Sequence, residues 1–142
     1  MRLWHEALLP FLPRAQLLGQ HRECCALRGL AWGKKHAVVD YVFLHPREWL
    51  AAYHFLVMEE MAGRGYHCED RWKNAGYRGR HCPAFDADAA LVEERLRRRP
   101  VYTEHDGAYL QSCLDNLKDK GIIIERGAVD GYEGQGRDSG GL

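Results

Sequence analysis

Four sets of residues in this chain could do chemistry. The first is Arg22-Glu23. Glu23 is the only acid between Gln20 and Lys35, a stretch that also holds Arg22, Arg28, Lys34 and Lys35. On residue type alone, a lone carboxylate beside cations is a solvent-facing helix glutamate paired with a neighbour, a surface salt bridge worth little. The second set is His21, Cys24 and Cys25. A thiol nucleophile needs a neighbouring base and a lowered pKa. These residues share the apolar face of their helix with Leu17 and Leu18, so buried, inert thiols and a core histidine are expected. The third set is the paired dipeptides His67-Cys68 and His81-Cys82. They have zinc's ligand types, but the short Cys-x-x-Cys or His-x-x-x-His spacing is missing, and adjacent side chains rarely reach one ion. The fourth is the run from Arg71 to Arg80, which holds Arg71, Lys73, Arg78 and Arg80 with Trp72 and Tyr77 and no acid. Such a segment can follow a phosphate backbone while its aromatics stack on bases. It can also be a solvated, charge-mixed surface.

The elements that must hold these residues are helical. Pro13 suits a first helical position and Gly29 a C-terminal cap, which predicts a first helix between them. Gln16, Gln20 and Glu23 lie opposite its apolar face. Gly19, one turn before Glu23, costs about 1 kcal/mol relative to alanine. Close packing of another helix would explain it, and so would room for a chain terminus or a DNA strand. The run Ala37 to Leu44 fits a strand or a short buried helix. His45-Pro46 opens a second helix through Ala62, closed by Gly63. Its wide stripe of Trp49, Leu50, Tyr53, Leu56, Val57 and Met61 marks it as the central core helix. Residues 64–85 form a long irregular segment, often a sign of function in a compact domain. A third helix, capped by Asp86, is expected over about 87–98, and a fourth over about 107–120. Ile122 to Ile124 reads as a short extended piece. These elements predict an all-α fold: a packed domain over residues 1–126 and a Gly-rich tail, expected to be disordered, over 127–142.

Composition sets the limits. One domain suits 142 residues, and 46% hydrophobic and 28% charged residues are an ordinary globular balance. The formal net charge is zero, so no global field draws the protein to nucleic acid; any attraction must be local. The start lacks a signal-peptide pattern and no run is long enough to span a bilayer. An odd count of five cysteines fits free thiols in a reducing cytoplasm.

Several of these stretches together resemble the pyrimidine-dimer DNA glycosylases of the endonuclease V type. They are Arg2-Leu3, the run Leu18 to Glu23, and the stretch Tyr41 to Tyr66, with Trp49-Leu50, Glu59-Glu60-Met61 and Arg64-Gly65-Tyr66 inside it. Tyr77-Arg78-Gly79 also resembles a family motif. The start Met1-Arg2-Leu3-Trp4-His5 is more like uncharacterised bacterial relatives than the phage enzyme. The similarity spans roughly residues 1–120, and the order and spacing of the motifs carry it.

The resemblance implies a compact helical fold and a DNA repair glycosylase with abasic-site lyase activity, acting on pyrimidine dimers or a related lesion in double-stranded DNA. In that chemistry an N-terminal amine attacks the sugar C1′ and forms an imine, assisted by a glutamate of the first helix. The matching positions are Met1 and Glu23. An α-amine, with a reference pKa near 7.7–8.0 against about 10.4 for lysine, is partly neutral and nucleophilic at pH 7. Arg2 is too large for the initiator methionine to be removed, so the amine is expected from Met1 itself, where the phage enzyme exposes a threonine. Arg22 matches a DNA-contacting arginine. The family's basic residue one turn further is replaced near Ala26, with Arg28 as a substitute. Arg2, Arg22, Arg28, Lys34, Lys35, Arg78 and Arg80 form the expected DNA-binding set. No metal or organic cofactor is needed, since the imine is the electron sink; a monomer without membrane attachment is expected. The alternative is a non-catalytic helical nucleic-acid-binding protein that retains the fold.

Overall fold

The structure, a computed structural model, describes residues 2–132 except His36. It is all-α, with no strand among the described residues. Four α-helices are joined by 3-10 turns: α1 (Arg14–Arg28), α2 (Arg47–Gly63), α3 (Ala89–Arg97) and α4 (Gly107–Asp119). Short 3-10 helices cover Glu6–Phe11, Asp40–Leu44 and Asp70–Lys73.

Helix α2 is the centre. Its residues Leu50, Ala51, Ala52, Tyr53 and His54 are all buried, as are Leu56, Val57, Met58 and Met61. A helix buried all round has neighbours on every side, and α1, α3 and the Glu6–Phe11 turn supply them. The helix ends where Arg64 donates from Nη1 to Leu12 O at 2.8 Å and from Nη2 to Leu9 O at 3.2 Å. Those bonds tie the end of α2 to the N-terminal segment. Gly65 follows at φ +82°, a left-handed position that suits only a residue without a side chain.

The N-terminal segment is anchored at several points before α1 begins. The buried Glu6 carboxylate accepts from Val101 N–H at 2.5 Å and from Arg99 Nε. Trp4 O accepts from the buried Tyr53 hydroxyl at 2.5 Å, and Leu3 O from the Tyr109 hydroxyl at 2.5 Å. Residues 2–4 are thereby clamped between α1, α2 and α4.

Several local expectations change. The stretch 37–44 is a turn followed by 3-10 helix, not a strand. The cap of α3 is Asp88 rather than Asp86: Asp88 Oδ1 accepts from Ala90 N at 3.0 Å and Leu91 N at 3.2 Å, so the helix begins two residues later. Asp106 caps α4 in the same way through Tyr109 N at 2.8 Å. Residues 126–132 are helical, although 127–132 are placed in the tail by sequence; Val129 is fully buried there and Tyr132 packs edge-on against Phe11 at 5.2 Å. The packed chain therefore runs past residue 126, because one apolar residue per turn is enough to dock this last segment. Residues 133–142 of the expected tail lie outside the described residues.

Candidate active site at the chain start

Helix α1 presents Gln20 and Glu23 one turn apart to the clamped N-terminal segment. Arg2 N–H donates to Glu23 Oε2 at 3.3 Å, and Gln20 Nε2 donates to the same oxygen at 3.2 Å. Burial pushes the half-buried Glu23 carboxyl above its ordinary range; the Arg2 N–H bond, the nearby Arg22 charge and the Gln20 bond pull the other way. Met1 lies outside the described residues.

Arg2 crosses to α4. Its Nη1 lies 3.5 Å from Ser112 Oγ and 3.6 Å from Cys113 Sγ, and its guanidinium sits 5.8 Å from the Trp4 ring centroid and 5.7 Å from that of Tyr109. Arg22 is exposed on the outer side of α1. Its Nη2 is the nearest group, at 3.7 Å, to a Cβ built on Gly19. Among the described residues no other helix comes within 4 Å of that Cβ, so close packing against a described helix does not account for this glycine.

Beyond Glu23, α1 borders an open groove of about 390 Å³ lined by Cys25, Ala26, Leu30, Lys34, Trp72, Arg78, Arg80 and Cys82 among others. Lys34, Lys35 and Arg80 are exposed. Arg78 is anchored, its Nε donating to Arg28 O at 2.9 Å and its Nη2 to Gly29 O at 3.3 Å. Gly29 is required by this contact: a Cβ there would meet Arg78 O at 2.7 Å.

Arg28 departs from its expected role. It is only 4% exposed. It donates to His54 Nδ1 at 2.9 Å, Trp72 O at 2.9 Å, Asn74 O at 2.6 Å and Tyr77 O at 3.1 Å. Burial lowers its pKa to about 10, which leaves it charged at neutral pH. Its fork is spent inside the protein, holding the 72–77 segment against α1. It cannot replace the family's DNA-contacting residue near Ala26.

A histidine–cysteine cluster lies beside the groove, with Cys25 common to both. His21 Nδ1 is 2.8 Å from His54 Nε2, and Cys25 Sγ is 3.8 Å from His21 Nε2 and 4.0 Å from His54 Nε2. Among the described residues these three form the one group with metal-ligand spacing. Its hydrogen bonds disfavour a metal. Arg28 can only donate, so His54 Nδ1 must accept; the neutral ring then carries its proton on Nε2 and donates it to His21. A metal at His54 Nε2 would require an imidazolate. Burial also raises the Cys25 thiol to about 11 and the fully buried Cys24 thiol further, so neither is a thiolate nucleophile at neutral pH. The dipeptides at 67–68 and 81–82 do not gather: Cys68 is buried with its thiol on Met61 Sδ at 3.6 Å, while His67 and His81 are exposed.

Three parts of this arrangement were not foreseen from sequence. Gln20 was placed opposite the apolar face, yet it is 1% exposed. His54 lies off the apolar stripe of the second helix and carries no signal of its own. Tyr109 likewise stands out in no pattern of the fourth helix. The pair Gln20 and Glu23, at i and i+3, was the sole signal available.

The sequence model of a family described as pyrimidine dimer DNA glycosylase matches residues 1–74, just over half of the 142. That span holds α1, α2 and the clamped start. No curated protein and no solved structure matches significantly.

Proposed function

Since the chain belongs to the pyrimidine dimer DNA glycosylase family, we propose that it is a DNA repair enzyme that cleaves the glycosidic bond of a damaged nucleotide and then breaks the strand, through an imine on its N-terminal amine. The observation that carries this reading is the Glu23 carboxylate within 3.3 Å of the Arg2 backbone nitrogen, beside the point where the chain starts. The reading requires Met1 to carry a free amine.

In this scheme the neutral α-amine attacks C1′ while the base departs with the glycosidic electron pair and is protonated. The ring oxygen leaves C1′, giving a protonated imine. Glu23 stabilises the cationic sugar and takes a proton from C2′. The C–H electrons flow toward the imine and the 3′ phosphate leaves by β-elimination; water then releases the enzyme. A carboxylate does this only when ionised, so the Arg2 and Gln20 hydrogen bonds, which favour the charged form against burial, suit the role. The substrate class is duplex DNA carrying a pyrimidine dimer or a related lesion. Expelling a nucleotide from the stack costs least where pairing is already weakened. Lys34, Lys35, Arg22 and Arg80 supply exposed cations for the phosphates around the groove.

Borohydride trapping on an abasic-site duplex tests this, using protein that starts at a mass-verified free Met1. A covalent adduct that disappears when the N-terminus is extended assigns the nucleophile. Glu23→Gln is expected to keep trapping while strand cleavage falls about 100-fold or more. Folded wild type that binds duplex but forms no adduct would instead identify a helical nucleic-acid-binding protein without the chemistry.

A further inference from the structure

Gln20 is fully engaged. Its Oε1 accepts from Trp4 N–H at 2.6 Å and the Tyr53 hydroxyl at 2.9 Å, and its Nε2 donates to Arg2 O at 3.0 Å and Glu23 Oε2 at 3.2 Å. Both of its N–H groups and one acceptor site are used outright; the Tyr53 hydroxyl divides its single hydrogen between Trp4 O and Gln20 Oε1. Its orientation is also forced. The Trp4 backbone N–H can only donate, so the oxygen must face it. The Arg2 carbonyl and an ionised Glu23 can only accept, so the nitrogen must face them. With the side chain 1% exposed, no water competes for these bonds.

We propose that Gln20 is a positioning residue for the imine reaction, setting the separation between the chain start and the Glu23 carboxylate. The proposal rests on the function proposed above. One amide grips the N-terminal segment on both sides of Leu3 and holds the catalytic carboxylate with its remaining hydrogen. Tyr53 adds rigidity by reaching both Trp4 O and Gln20 Oε1 from the central helix. Among the described residues both bonds to Glu23 fall on Oε2, and Oε1 is the oxygen assigned to the sugar. Other charged groups that act on Glu23 are the chain's α-amino group and Arg22 on its own helix; the Arg2 guanidinium lies instead against Tyr109 and Cys113 of α4. Loss of the amide leaves the carboxylate as buried as before but without one bond to its charged form. Its titration should therefore move upward.

The test is a carboxyl-carbon NMR titration of Glu23 in full-length wild type, Gln20→Met and Gln20→Glu, with pH profiles of trapping and strand cleavage on an abasic duplex. In folded Gln20→Met the Glu23 midpoint is expected to rise by about one pH unit, with the acid limb of strand cleavage moving by the same amount. Cleavage turnover should fall about tenfold below that limb while KM changes little. An unmoved midpoint with an unmoved acid limb overturns the proposal. If Gln20→Met does not fold, Gln20→Glu decides: it sets a second carboxyl about where Nε2 now lies, 3.2 Å from Glu23 Oε2. The two carboxyls are then expected to titrate apart, the upper well above the ordinary range. Two ordinary, independent titrations overturn the proposal. Wild type that forms no adduct, with the Glu23 midpoint still moved by Gln20→Met, removes the imine reading and leaves the Gln20–Glu23 link intact.

Discussion

At the scale of single residues, the same side-chain type does opposite work according to where its hydrogen bonds can be met. Arg22 and Arg28 lie on one helix, six positions apart, and only Arg22 faces water. Arg28 has its guanidinium on three carbonyls and on His54 Nδ1. Arg28→Met removes all of these donors at once. Buried carbonyls left without partners each cost about 1–3 kcal/mol, so chemical denaturation should show a loss of about 3 kcal/mol or more. Arg28→Lys is expected to recover only part, because an ammonium cannot reproduce the planar fork. A variant as stable as wild type would mean that the 72–77 segment does not depend on this arginine.

At the scale of elements, a glycine within α1 and the glycine that caps it carry opposite expectations. A Cβ on Gly19 meets only the flexible Arg22 Nη2, at 3.7 Å. Gly19→Ala should therefore stabilise the protein by about 1 kcal/mol through helix propensity alone. A Cβ on Gly29 would meet Arg78 O at 2.7 Å and Cys25 O at 3.4 Å, both backbone atoms. Gly29→Ala should cost about 1–3 kcal/mol and loosen the 72–80 segment from α1. Thermal melts of the two variants, with amide exchange over residues 72–80, check both signs. Helix boundaries were legible in advance because Pro13, Pro46, Gly63 and Gly121 are local signals. The register of the caps was less so: Asp86 and Asp88 are both acceptable, and the helix starts where Asp88 finds the Ala90 and Leu91 N–H groups.

At the scale of the molecule, three histidines are held neutral by their surroundings. Burial lowers His21, lowers His54 strongly, and takes His105 down to about 3. Each folded pKa lies below the unfolded value near 6.5, so below that pH the unfolded chain binds more protons. Stability is therefore complete above about pH 6.5 and declines as pH falls, by up to about 1.4 kcal/mol per pH unit for each histidine. Denaturation between pH 7.5 and 5 checks this, and a flat profile would contradict it. DNA affinity, in contrast, should come from local charge, since the net charge is zero. Replacing Lys34 or Arg80 by alanine is expected to weaken duplex binding for all sequences and to make the salt dependence about one unit less steep for each. No described helix is long and apolar enough to cross a membrane.

The sequence by itself determined the helical class and the central helix. Both follow from short-range pattern: apolar spacing and proline and glycine stops. Only the tertiary structure decided which polar residues turn inward. Gln20 and Arg28 are buried because Trp4 and the 72–77 carbonyls, far away in the chain, complete their hydrogen bonds, and His54 because His21 and Arg28 on another helix meet its two ring nitrogens. Burying a polar group costs free energy unless a partner meets it, and periodicity along one helix carries no information about a partner on another.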